Sequence, residues 1–508
     1  MNANKFFSIV AVVLIGILTG CSLDTEPRGS TVSKDQYEKN MFSAEAHIRG
    51  LYRIMIAATD NDEFGQKSID IKTDIISGDM ALTNVLYGWF QDCDQLQASH
   101  RGSGFSYYIW SYYYRIIKNC NLIISAKGDA DLANPETPEE IIKANFIGQA
   151  YAMRGLAYYS LSYYYSRNQE AIKVYPNNSN ILINPCVPVY DENTSDVEAQ
   201  PLATLEQVLN QAEGDLLLAV NYLKNYDRES LTLVNKDVAK TILAYLYIYR
   251  GRLFDRIGDA SLRDDDAKAA LDLCNEVIAT GNYPIIPLKE VTTTGFNNIS
   301  SRNWMWGQDI TAETSSSLWT FWGAMDIYTY SYAWAGDVKA IDATLYADFK
   351  AAHPKDERVK WWTTTNDLAP TGKFYDSGRK KGGDRMWLND IVFMRSEELY
   401  LIAAESAFLM RDYTTAKNHL KTLVEQRDPE FAENLPEDSS IGDEIYLNWR
   451  IEMWGEGKAY FTMQRFDKSR KRGDNHYYLA GNEVSAYDGN VCFEIPSTEI
   501  KYNPHLHE

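Results

Sequence analysis

The chain has 508 residues, 45% of them apolar and 13% aromatic, with 70 acidic against 50 basic side chains and a net charge of −20. That balance excludes nucleic-acid binding and any polybasic grip on anionic lipid, since both need a surplus of Lys and Arg to neutralise phosphate. A chain this long and this apolar can bury a large core in more than one lobe.

At the N-terminus, Lys5 precedes thirteen mostly apolar residues, Phe6 to Leu18, followed by Thr19, Gly20 and Cys21. The run is too short for a mature membrane-spanning helix and has the size of a signal-peptide core. Leu18-Thr19-Gly20-Cys21 matches a bacterial lipobox. Residues 1–20 therefore read as a lipoprotein signal peptide, Cys21 as the lipidated residue and 21–40 as a tether. Several acyl chains on Cys21 would be the only membrane contact.

Residues 41–285 read as helical. Asp60-Asn61-Asp62-Glu63-Phe64-Gly65 imitates the start of a calcium loop, but Phe64 and Ile71 stand where the fifth and twelfth positions need oxygen ligands, so an acidic turn is the better reading. Thr137-Pro138-Glu139-Glu140 offers a capping box with proline at the first helical position, and Thr204 with Gln207 repeats the box. From the first, Ile142, Phe146, Ala150, Met153, Ala157, Leu161 and Tyr164 recur in steps of three and four, which predicts one buried face of about six turns. Val238, Ile242, Tyr245 and Tyr249 mark another helix, and Ala267, Leu271, Cys274 and Ile278 the next, expected to begin after Asp264-Asp265-Asp266. Between Gly281 and Trp387 the helical signal gives way to Gly, Ser, Thr and Trp, which predicts an irregular, loop-rich lobe over 286–390. Residues 391–508 return to helix. Leu401, Ala404 and Phe408, then Ala416, Leu420 and Leu423, make a hairpin about the turn Arg411-Asp412-Tyr413. Such hairpins have the geometry of tetratricopeptide-type units, here degenerate because no fixed period links them.

Catalytic constellations are mostly missing. The chain has no G-x-S-x-G elbow, no H-E-x-x-H and no phosphate-binding glycine loop. A carboxylate pair for glycoside hydrolysis is set in space rather than in sequence, and solvated surface carboxylates are the plainer account of 70 acidic residues. His505 and His507 read as a frayed tail, so neither metal nor cofactor is expected. Cys93, Cys120, Cys186, Cys274 and Cys492 include no C-x-x-C pair and read as buried free thiols, with one bridge left open.

Several stretches together resemble the SusD/RagB family of outer-membrane lipoproteins. "GQAYAMRGLAYYSLSYYY", with Arg154, is similar to its early helix, and "AKTILAYLYIYRGR" with "AKAALDLCNEVIATGNYPI" to its middle pair. "MRSEELYLIAAESAFL", with Arg395, Glu398, Ala404 and Glu405, follows in the family's order. So do "WRIEMWGEGKAYFTMQRF", with Arg450, Glu452, Glu456, Gly457 and Arg465, and "FEIPSTEIKYNPHL". Thr462, Ala459 and Leu202 depart from the family's usual residues, which puts local salt bridges rather than the fold in doubt. The resemblance implies a mostly helical, SusD-like scaffold and a non-enzymatic role: a cell-surface glycan-binding lid over a SusC-like, TonB-dependent outer-membrane barrel of a Gram-negative bacterium. Asp79 lies near a family position whose carboxylate can reach ligand.

"LWTFWGAMDIYTYSYAWAG", Leu318 to Gly336, places seven aromatic rings between Trp319 and Trp334 and needs either a core or a ligand. Aromatic rings match the apolar face of a sugar, and Trp and Tyr present area at low entropic cost. Some of Trp319, Trp322, Tyr328, Tyr330, Tyr332 and Trp334 are therefore expected to form a stacking platform. On an extended segment Tyr328, Tyr330 and Tyr332 would share one side. Tyr87 and Trp89 of "NVLYGWFQD" are candidates for a second site. The rival readings are a peptide-binding, RagB-like lid, a hydrolase and a pure tetratricopeptide scaffold.

Overall fold

The computed structural model describes residues 41–127, 132–174, 180–194, 198–364, 367–376, 378 and 386–506; the signal peptide, Cys21, the tether and His507 lie outside the described residues. The longer helices are α1 (Met41–Ile54), α2 (Gln66–Ser77), α3 (Gly104–Ser125), α4 (Pro138–Tyr165), α5 (Leu205–Tyr222), α6 (Lys236–Ile257), α7 (Ala260–Ala279), α8 (Ala343–Ala352), α9 (Glu397–Leu409), α10 (Tyr413–Val424), α11 (Ile441–Glu452) and α12 (Ala459–Arg465). The strands are short and pair in antiparallel twos: β1 (Met80–Leu82) with β5 (Lys339–Ile341), β2 (Pro185–Pro188) with β3 (Leu202–Thr204), β4 (Trp304–Gln308) with β6 (Ile391–Arg395), and β7 (Ser469–Lys471) with β8 (Glu483–Ser485).

Helices begin where their caps satisfy orphan amides. Thr137 Oγ1 accepts from the Glu140 amide (3.2 Å) and the Glu140 carboxylate from the Thr137 amide (2.9 Å). Thr204 and Gln207 repeat the exchange at α5 (3.2 and 2.9 Å). α7 corrects the expected boundary. It starts at Ala260, capped by Asp259, whose carboxylate accepts from the Leu262 amide (3.1 Å), and the aspartates expected to precede it lie inside. Of these, Asp266 joins Glu213 around Arg250 (2.8 and 2.6 Å).

From α3 to α7 each helix packs on the next, then α7 on α9 and α9 on α10. α4 runs through the middle and from Ala150 onward is buried all round rather than on one face. α1, α3 and α5 all lie on it, so from Ala150 to Tyr165 every residue except Leu156 is buried. Ile142, at its open start, is exposed. One contiguous apolar core joins the helices to the lobe, taking in Trp306, Phe321, Trp322 and Trp361 beside Tyr159 and Leu401. The lobe is more ordered than its composition suggests, since it contains β4, β5 and α8, the last capped by Asp342 accepting from the Leu345 amide (2.7 Å). The five described cysteines are buried free thiols.

Most of the charged residues that carry the resemblance are buried and paired. Arg154 donates to Asp215 through Nε and Nη2 (2.8 and 2.7 Å) and to Glu192 and Asn121 through Nη1 (both 2.7 Å), tying α3, α4 and α5 together. Arg395, at the end of β6, reaches Glu452 (2.8 Å), Glu456 (2.9 Å) and Glu397 (3.0 Å). Arg427 and Arg358 complete the surround of Glu452 (3.2 and 3.1 Å). At the departure Thr462 the hydroxyl donates to the Lys458 carbonyl (2.7 Å), and Arg465, three residues on, pairs with Glu405 (2.9 Å).

Candidate ligand platform

The β1–β5 ribbon sets the position of the aromatic segments. Its register pairs Met80 with Ile341 and Leu82 with Lys339. The chain leaves β1 after Leu82 into residues 83–90 and enters β5 from residues 332–338, so both aromatic segments project from the same end. Asn84 Nδ2 donates across them to the Gly336 carbonyl (2.5 Å), and the buried pair Lys339–Asp337 (2.7 Å) fixes the base.

The stretch itself is turned rather than extended. Thr320 caps the short helix Phe321–Met325 by accepting from the Gly323 amide (3.1 Å). The buried Asp326 carboxylate then accepts from the amides of Tyr328 (2.8 Å), Thr329 (3.3 Å) and Asp376 (3.0 Å); burial raises its pKa. Ser331 Oγ accepts from the Trp334 amide (2.8 Å) and closes the last turn.

These turns scatter the rings and correct several expectations. Tyr328, Tyr330 and Tyr332 do not share one side: Tyr328 lies edge-on to Tyr375 (6.0 Å), Tyr330 against Trp334 (5.0 Å) and Tyr332 against Trp89 (4.4 Å). Tyr87 and Trp89 are not set apart from the stretch. They stack on each other at 4.7 Å and 19°, with Tyr332 edge-on to both, so two segments far apart in sequence make one ring cluster. Trp322 belongs to the core at 1% exposure, its Nε1 donating to the Asn389 carbonyl (3.0 Å). Asp79 is likewise withdrawn as a ligand contact. It is fully buried, and its carboxylate is held by Arg450 (2.7 Å) and Arg470 (3.0 Å). Trp319 is exposed, but no ring contact joins it to the cluster among the described residues.

What remains is the cluster of Tyr87, Trp89 and Tyr332 and, on the same segment as Tyr332, the pair Tyr330–Trp334, with Tyr87 47% and Trp334 46% exposed. Its polar edge includes Asn61, which the sequence alone did not single out as a site residue. Asn61 Oδ1 accepts from the Tyr332 hydroxyl (2.5 Å), and Asn61 Nδ2 donates to Asp60 (3.0 Å). Nothing local could have flagged a contact spanning 271 positions. The acidic turn is engaged within the protein: Asp62 pairs with Lys72 (3.0 Å) and Glu63 accepts from Thr59 Oγ1 (3.0 Å).

The helical scaffold agrees with comparisons against known proteins. A family model described as SusD-like, "Starch-binding associating with outer membrane", matches residues 26–248, and a second, described as "SusD family", matches residues 352–506. Together they span about three quarters of the sequence, and the chain belongs to the SusD/RagB family. No curated protein matches it. Among solved structures, a SusD-like carbohydrate binding protein from Bacteroides vulgatus is similar at 21% identity and a TM-score of 0.72, covering 92% of this chain and 97% of its own. A putative sugar binding protein from the same species follows at 20% and 0.70, with 92% and 97% covered. A SusD superfamily protein from Bacteroides thetaiotaomicron is similar at 17% and 0.71, with 92% and 98% covered. Identities this low establish the fold.

Proposed function

We propose that this protein is a cell-surface lipoprotein, anchored through Cys21 to the outer membrane of a Gram-negative bacterium, that captures a nutrient glycan. In this reading it acts as the lid of a SusC-like, TonB-dependent barrel and is not an enzyme. The observation that carries the reading is the ring cluster of half-buried Trp89 and Tyr332 with exposed Tyr87, together with exposed Trp334 two residues along the chain from Tyr332. A pyranose has an apolar face of C–H groups that a phenol or indole ring covers by dispersion and hydrophobic contact, while amides at the edge satisfy its hydroxyls. Asn61 and Asn84 lie at that edge. A ring-lined surface suits a sugar better than a peptide, which would call for a deep acidic cleft. Binding without hydrolysis is supported by the carboxylates of the acidic turn around Asn61: Asp60, Asp62 and Glu63 are tied to Asn61, Lys72 and Thr59.

Native affinity electrophoresis of residues 22–508 through gels containing different polysaccharides tests the reading. One polysaccharide is expected to retard the protein, with retardation lost in Tyr87→Ala and Trp334→Ala and kept in Trp319→Ala. Retardation undiminished in both platform variants would move the site elsewhere, and release of reducing sugar from the retarding polysaccharide would overturn the non-enzymatic assignment.

A further inference from the structure

Residues 472–478 clasp the ribbon from which the platform projects. Asn475 Oδ1 accepts from the Ala343 amide and its Nδ2 donates to the Ile341 carbonyl (both 2.9 Å), while the Gly473 amide donates to Asp342 (2.5 Å). At the platform end, the Tyr477 amide donates to the carbonyl of Leu82 (2.7 Å), five residues before Tyr87. Inside the clasp, His476 is buried between two carboxylates, Nδ1 lying 2.8 Å from Asp94 and Nε2 3.2 Å from Asp342. Arg472 approaches the same Asp94 (3.3 Å), whose other oxygen accepts from the Tyr478 amide (2.8 Å). Asp94, Asp342 and Arg472 are the charged groups that face the imidazole. Burial disfavours the imidazolium, but the hydrogen bonds and charges of Asp342 and Asp94 outweigh it, so the pKa is raised above 6.5. Tyr477, the next residue, is 56% exposed.

The geometry points to Tyr477 as a further ligand-contacting ring of the platform and to His476 as the residue that positions it. The inference rests on the binding reading above and adds a third segment to that site, about 390 positions from the first. With His476 charged, Nδ1 donates to Asp94, the protonated Nε2 edge faces Asp342 as an ion pair, and the clasp holds Tyr477 beside Leu82; with it neutral, one nitrogen presents a lone pair to a carboxylate and the clasp loosens. Affinity is therefore highest below pH 6.5 and falls as pH rises through the raised pKa.

Affinity for the retarding polysaccharide, measured by titration calorimetry across about pH 6 to 9, tests both parts. Tyr477→Ala is expected to weaken binding by about three- to tenfold at an unchanged melting temperature. His476→Gln is expected to weaken binding at low pH and to abolish the pH dependence. Wild-type affinity in Tyr477→Ala, where Tyr87→Ala loses binding, would overturn the Tyr477 assignment and leave the binding reading standing. Undiminished binding in Tyr87→Ala, Trp334→Ala and Tyr477→Ala together would overturn both. A His476→Gln protein that melts lower but keeps the wild-type pH profile would reduce His476 to a scaffold residue. Should that variant not fold, a flat wild-type profile overturns its positioning role by itself.

Discussion

Trp322 and Trp334 are twelve positions apart in one stretch, yet the fold gives them opposite tasks. Trp322 is held in the core beside Phe321 and hydrogen-bonded to the Asn389 carbonyl, whereas Trp334 keeps about half of its surface in water. Removing a buried indole loses its transfer free energy and leaves a cavity, so Trp322→Ala should cost about 3–5 kcal/mol. Trp334→Ala should stay within about 0.5 kcal/mol of wild type, as for most surface changes. Guanidinium denaturation of the two variants distinguishes them, and equal shifts in midpoint would contradict this division. The stretch announced its aromatic content but not which ring would turn inward, because that depends on the turn Asp326 builds by accepting three amides, one of them from Asp376.

Helix existence was legible wherever a cap and an apolar rhythm coincided, as at Thr137 and Thr204. It was misread where acidic residues invited two interpretations. Asp264 to Asp266 resemble a helix start, but Asp259 does the capping and Asp266 serves Arg250. The crossing of α4 and α5 depends on Gly155, where an added Cβ would meet Leu216 Cγ at 2.7 Å and the Ala212 carbonyl at 3.1 Å. Ala favours helix intrinsically, but overpacking at this contact outweighs propensity, so Gly155→Ala should destabilise by about 1–3 kcal/mol. A denaturation midpoint equal to or above wild type would show that the two helices can part without cost.

At the scale of the whole molecule, a buried charge cluster joins β6, the lobe and the C-terminal helices. Arg395, Arg427 and Arg358 surround Glu452, and Arg395 and Lys373 hold Glu456. Burial would raise both carboxylates, but these cations overcome it: Glu452 titrates well below its usual range and Glu456 is pushed down to about 2. A carboxylate with a lowered folded pKa stabilises above its unfolded value, here 4.5, and that contribution is lost as pH falls toward the folded value. Thermal stability should therefore decline from pH 4.5 toward 2. Glu456→Gln should flatten part of that decline and cost about 3–5 kcal/mol at neutral pH, because Arg395 and Lys373 lose a buried counter-charge. Melting curves across that range test it, and an acid limb unchanged in the variant would assign the loss to other groups.

The sequence by itself determined the helical class, the capped starts, the hairpin about Arg411 to Tyr413 and the family resemblance, because each rests on chemistry within a few neighbouring residues. It also marked the aromatic stretch as needing a partner. Only the tertiary structure decided which rings meet, that Tyr87 and Trp89 pack against Tyr332, and that Asp79 is buried with one carboxylate oxygen paired to Arg450 and Arg470. The β1–β5 ribbon brings together segments some 250 residues apart, and long-range pairing leaves no periodic mark on either strand of three residues.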